Sequence, residues 1–161
     1  MIKQQLRHSL RAFALRFPAL RRVSGRLGLG RLLAPSSVRE QVRVDGDIVI
    51  ELDMSVPMFR YLYFHHDLST AVETQLFRTL LHADDVLVDV GAHIGVFTLV
   101  AAKYAGQVHA FEISPSTAVY LRRNLALNPN LAANITLHQL GLAAQPGEME
   151  LYNSRANPDM A

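Results

Sequence analysis

The chain has 161 residues, half of them apolar and 19% charged, with a formal net charge of +2. That is room for one domain with a sizeable core, in the composition range of ordinary globular proteins. It contains no cysteine, which excludes disulfides, thiolate metal sites and a cysteine nucleophile, and its longest apolar run is broken by Asp89, His93 and Lys103 before it reaches the roughly 18 residues a membrane-spanning helix requires.

The small net charge hides an asymmetry. Nine of the sixteen basic residues (Lys3, Arg7, Arg11, Arg16, Arg21, Arg22, Arg26, Arg31 and Arg39) precede Glu40, the first acid. Within that segment Ile2, Leu6, Leu10, Phe13, Phe17 and Leu20 recur at helical spacing, so residues 1–37 are expected to be a basic amphipathic helix followed by the linker "SGRLGLGRLLAPSS". Such a helix suits an anionic membrane surface, a partner, an organelle transit role or packing on its own domain. Localisation is expected to be cytoplasmic, with peripheral membrane contact through this helix. Nothing joins the basic residues to stacking aromatics on a recognised module, so no nucleic-acid partner is expected.

Residues 38–68 are expected to hold a hairpin and a lead-in. In "QVRVDGDIVIEL" apolar residues alternate on either side of Asp45-Gly46, a pair suited to a turn with positive φ at both central positions. His65-His66-Asp67 lacks a partner motif such as H-E-x-x-H and reads as a partly solvated loop. A helix is expected from about Thr70, with Thr70 and Glu73 in a capping-box pattern and Val72, Leu76 and Leu80 on one face.

Residues 69–161 read as alternating strands and helices. Val86–Val90 is apolar on both faces, as in a buried parallel strand. Helical spacing then runs from Phe97 to Tyr104, with Gly106 as the expected C-cap. "QVHAFEI" is a second strand ending on Glu112. Ser114 and Pro115 open a helix that ends near Asn128-Pro129, with Asn124 and Asn128 as helix-face and helix-end residues, and "NITLHQLGL" is a third strand. This order predicts an α/β fold with a doubly wound parallel sheet.

In such sheets the ligand crevice lies beyond the carboxyl ends of the strands. The stretch "DVLVDVGAHIGVF" places Asp89, Gly91, His93 and Gly95 in the first strand-to-helix loop, with Glu112 at the end of the neighbouring strand. Glycines let backbone approach a ligand closely, and a carboxylate is a natural acceptor for two ribose hydroxyls, so the constellation points to a nucleoside cofactor. It is not the dinucleotide fingerprint G-x-G-x-x-G, because His93 stands where the second glycine would admit a pyrophosphate. A nicotinamide-dependent oxidoreductase is therefore the weaker alternative. The bland reading, glycines that only pack strand against helix, would suffice without Asp89 before them and Glu112 after.

The stretch "DVLVDVGAHIGVFTLVAAKYAGQVHAFEISPSTAVYLRRNLALNPN", with "NITLHQLGLAAQPGEMEL" after it, resembles the FkbM family of S-adenosylmethionine-dependent methyltransferases over roughly residues 70 to 152. The resemblance implies a Rossmann-like methyltransferase fold with S-adenosyl-L-methionine as cofactor. Asp89, Gly91, His93 and Gly95 would surround its methionine part and Glu112 would hold its ribose. It implies O-methylation of a small-molecule or glycan hydroxyl, with no metal. The family usually has asparagine at the position of His93 and proline at that of Ile113. It also implies seven strands, of which this chain supplies three, so the fold is expected to be incomplete and no catalytic base is named. An inactive cofactor-binding or surface-binding module is the alternative.

Overall fold

The computed structural model describes residues 39–65 and 72–152. The expected N-terminal helix, the pair His66-Asp67 and the capping residue Thr70 lie outside them. The described residues fall into two compact units, one of residues 39–42 and 52–65 and the other of residues 43–51 and 72–152.

The hairpin is present as β1 (Arg39–Val44) and β2 (Ile48–Asp53). Its turn carries Asp45 at φ 48° and Gly46 at φ 87°, the positive values for which Asp-Gly is suited. Burial alternates along β2, with Ile48, Ile50 and Leu52 buried.

After β2 the Asp53 carboxylate accepts the Ser55 amide and hydroxyl (2.9 and 2.6 Å). This local turn leads into α1 (Pro57–His65), with Pro57 at its first position, where a missing N–H costs nothing. Arg60 returns a hydrogen bond to the Met54 carbonyl, and Met54, Val56, Phe59 and Tyr63 are buried.

In the larger unit α2 (Val72–Leu80) precedes β3 (Val86–Val90), α3 (Val96–Ala101), β4 (Gln107–Phe111), α4 (Pro115–Leu127), the short α5 (Pro129–Ala132) and β5 (Ile135–His138). The strands form one parallel sheet in the order β3-β4-β5, with Asp89 level with Ala110 and Val90 with Phe111. Two apolar clusters build the core on one face. Ala101, Ala102, Ala105 and Val108 pack with Phe77, Leu81, Leu87 and Ile135, and Ala92, Ala110 and Leu121 pack with Leu125 and Leu137. The α/β class and the Rossmann-like arrangement are as expected.

Two expectations change. Val86–Val90 is not buried on both faces: among the described residues β3 pairs only with β4, and Val86, Val88 and Val90 are 60%, 54% and 64% exposed. Among the described residues, side chains on the core face meet helices and those on the opposite face do not, and apolar character alone does not reveal which face is covered. On that open face His138 stacks on Phe111 and its Nε2 lies 2.9 Å from His109 Nδ1. Gly106 is also not a helix cap. The helix ends at Ala101 with Ala102 as its cap, and Gly106 is required because a Cβ there would overlap the Ala83 carbonyl oxygen.

Within the larger unit the hairpin turn is held electrostatically. Asp45, whose side chain is fully buried, accepts from Arg78, from the Tyr104 hydroxyl at 3.0 Å and from Lys103 at 3.2 Å. Lys103 also bonds the Asp45 carbonyl and the Asp47 carboxylate (2.8 and 2.7 Å). That ammonium holds the exposed Asp47 carboxyl below its ordinary value.

Candidate functional site

β3 and β4 end side by side, so the loops that follow them share one end of the sheet. The Phe111 carbonyl accepts both the Gly91 and the Ala92 amides at 2.9 Å, which folds the chain back immediately after β3. Gly91 (φ 82°), His93 (φ 53°) and Gly95 (φ 86°) all occupy the left-handed region. Three such turns within five residues make a tight loop, and glycine is the residue that enters that region without steric cost.

The two glycines differ in their surroundings. A Cβ on Gly91 would meet nothing within 4 Å, whereas one on Gly95 would overlap Leu121 Cδ1 in the core. Gly91 therefore borders open space at the strand end, and Gly95 packs the loop against α4. His93 is the unusual member. Histidine and asparagine are both enriched among non-glycine residues at positive φ, which gives a backbone reason why the resembled family can carry asparagine here.

Glu112 is 4% exposed. Its Oε2 accepts the His93 amide at 2.9 Å and its Oε1 the Ser114 amide at 2.8 Å. One carboxylate thus joins the loop after β3 to the loop after β4. Each oxygen retains a second lone pair for a further donor. Ser114 in turn caps α4, accepting from the Thr117 amide, with Pro115 at the first helical position, as expected.

Asp89 points to the core side of the same strand end, where Thr98 Oγ1 donates to its Oδ2 at 2.5 Å. Burial raises its carboxyl above the usual aspartate value; the Thr98 hydrogen bond opposes this, and the nearby Glu112 charge adds to it. A cationic neighbour would act in the opposite sense, favouring the charged form.

All five expected residues therefore gather at the ends of β3 and β4. Of the two asparagines read from the sequence as helix-face and helix-end residues, Asn124 of α4 reaches this loop, and Asn128, which caps α4, does not. Asn124 is fully buried, and its Nδ2 donates to the carbonyl of Ile94 at 2.7 Å. Asn128 is also buried and bonds β2. Among the described residues no cluster of three or more histidine, cysteine, aspartate or glutamate side chains could hold a metal, and no helix is long and apolar enough to cross a membrane.

No protein-family model matches the chain. Over 79 residues, 49% of this chain and 30% of its relative, the sequence is 29% identical to the uncharacterised protein MJ1452 of Methanocaldococcus jannaschii. Among solved structures, TYW2 of Pyrococcus horikoshii, in complex with MeSAdo, superposes with a TM-score of 0.54 at 24% identity, covering 72% of this chain and 41% of that one. The tRNA m1G37 methyltransferase of M. jannaschii superposes with a TM-score of 0.50 at 22% identity, covering 65% and 31%. The chain shares the α/β, Rossmann-like methyltransferase fold of these neighbours. The chain spans between about three tenths and two fifths of these proteins' lengths. The neighbours overturn the expectation that nucleic acid plays no part, since the second acts on tRNA. That expectation rested on the absence of stacking aromatics beside the basic residues, whereas one fold hosts many substrates and its substrate class is not marked by such a pattern alone.

Proposed function

We propose that this chain supplies the S-adenosylmethionine-binding half of a methyltransferase. The observation that carries the reading is the buried Glu112, oriented by the His93 and Ser114 amides at the lip of a glycine loop on a methyltransferase fold. Its free lone pairs face the demand of a ribose, two hydroxyl donors to one charged acceptor. Gly91, bordered by open space, admits the cofactor to the backbone. Asp89 supports the amino-acid end, where an ammonium group would offset the cost of its burial. The cofactor supplies an activated methyl group, and the chain's part is to hold it in place for in-line attack.

The finer reading, FkbM membership and methylation of a sugar or small-molecule hydroxyl, rests on the sequence pattern alone. An RNA acceptor is the second reading, favoured by the tRNA-modifying neighbour. Transfer of labelled methyl by the chain to tRNA or to hydroxyl acceptors separates the two.

The test of the cofactor reading is calorimetric titration of the folded chain with S-adenosylmethionine, with its demethylated product and with a reduced nicotinamide. Binding of the first two and not the third is expected. A folded chain that prefers the nicotinamide, or binds none, would remove the proposal.

A further inference from the structure

The loop after β3 is held from two sides, and the second side comes from a residue far away in sequence. Asn124, in α4, donates from Nδ2 to the Ile94 carbonyl (2.7 Å) and accepts the Glu51 amide of β2 on Oδ1 (2.8 Å). One turn later Asn128 accepts the Val49 amide on Oδ1 (2.9 Å), while its Nδ2 lies 2.7 Å from the Val49 carbonyl and 2.7 Å from that of Asn124. The spacing has a geometric basis. Four residues of helix rise about 6 Å, and two residues of strand rise about 6.6 to 6.8 Å. Two asparagines an α-turn apart can therefore pair alternate residues along a strand edge, as a neighbouring strand would.

The two asparagines differ in reach. Among the described residues the Asn128 side chain joins α4 to β2, whereas that of Asn124 also holds Ile94, the residue after the one whose amide Glu112 holds. We infer that Asn124 is a positioning residue for the cofactor loop, clamping the Ile94 carbonyl and coupling β2 of the hairpin to cofactor binding. This rests on the reading that S-adenosylmethionine lies on that loop. Glu112 and Asn124 together fix the peptide groups on either side of the His93–Ile94 peptide, in a stretch whose backbone is left-handed at three positions. Removing either hold lets the loop leave the conformation that a ligand must find, and affinity falls by the fraction of time it does so.

Substitution separates the two halves of the clamp. Asn124→Asp keeps an acceptor for the Glu51 amide but turns an oxygen toward the Ile94 carbonyl. Asn128→Ala loosens β2 without touching Ile94. With S-adenosylmethionine titrated into each variant at a temperature where circular dichroism shows it folded, Asn124→Asp and Asn124→Ala are expected to bind about tenfold more weakly, the scale of one buried hydrogen bond. Asn128→Ala should melt earlier and bind within about threefold of the wild type. Equal affinity across the folded variants, or an equal loss in all three, would overturn the inference.

Should the Asn124 variants not fold, amide exchange in the wild type decides. Cofactor addition should slow exchange at Glu51 together with His93, because coupling is reciprocal; slowing at His93 alone would overturn it. A folded wild type that does not bind would remove the cofactor reading, and the inference with it.

Discussion

Gly91 and Gly95 stand four residues apart at nearly the same φ, yet alanine should cost them different amounts for a reason the structure supplies. At both, an L-residue in the left-handed region costs about 1 to 2 kcal/mol. At Gly91 that is the whole cost, because a Cβ would meet open space. At Gly95 the methyl would overlap Leu121 Cδ1, and Leu121 is fully buried in the cluster with Ala92 and Ala110, so overpacking adds about 1 to 3 kcal/mol. Gly95→Ala should therefore lose about 2 to 5 kcal/mol, a large part of a domain stability of about 5 to 15. Urea unfolding followed by circular dichroism measures both variants against the wild type. Equal losses would refute the packing argument, and a larger loss at Gly91 would reverse it.

Further outcomes follow from other contacts. Glu112→Gln must turn its NH2 group toward either the His93 or the Ser114 amide, so one buried N–H loses its acceptor, a cost of about 1 to 3 kcal/mol in denaturant unfolding; an unchanged midpoint would contradict the dual role of the carboxylate. Asp45→Ala leaves Arg78, Lys103 and Tyr104 without their shared acceptor, and because both cations retain some exposure the loss should be about 1 to 3 kcal/mol; no loss would show that the turn is held by packing alone. Asp89 gives a pH signature. A carboxyl raised by burial binds its proton more tightly in the folded chain, so its contribution is greatest at low pH and declines as pH climbs from about 3.9 through the raised value. The melting temperature of Asp89→Asn relative to wild type should rise across that window and then level off, and a constant difference would refute the burial argument.

The parts of this fold legible in the sequence are those whose causes are local. Asp45-Gly46 announces its turn because positive φ is a property of those two residues, and Ser114-Pro115 announces a helix start because capping acts within one turn. The glycine loop and Glu112 were legible as a group because strand-to-helix alternation alone places them at one end of the sheet. The roles of Asn124 and Asn128 were not, since their partners on β2 lie 73 and 79 residues away and a buried asparagine on a helix looks like any polar helix residue. Helix α1 was also missed, although Asp53, Ser55 and Pro57 form a start signal that could have found it. That Glu112 holds the His93 backbone required coordinates, because a carboxylate at a strand end carries no mark of which amides it will meet.

Amide chemical-shift mapping of the isotope-labelled chain during S-adenosylmethionine titration tests the central claim most directly. The account predicts saturable shifts concentrated at Gly91, Ala92, His93, Gly95 and Ser114, with Glu51 responding through Asn124. Shifts confined to another surface, or none in a chain whose spectrum shows it folded, would contradict it.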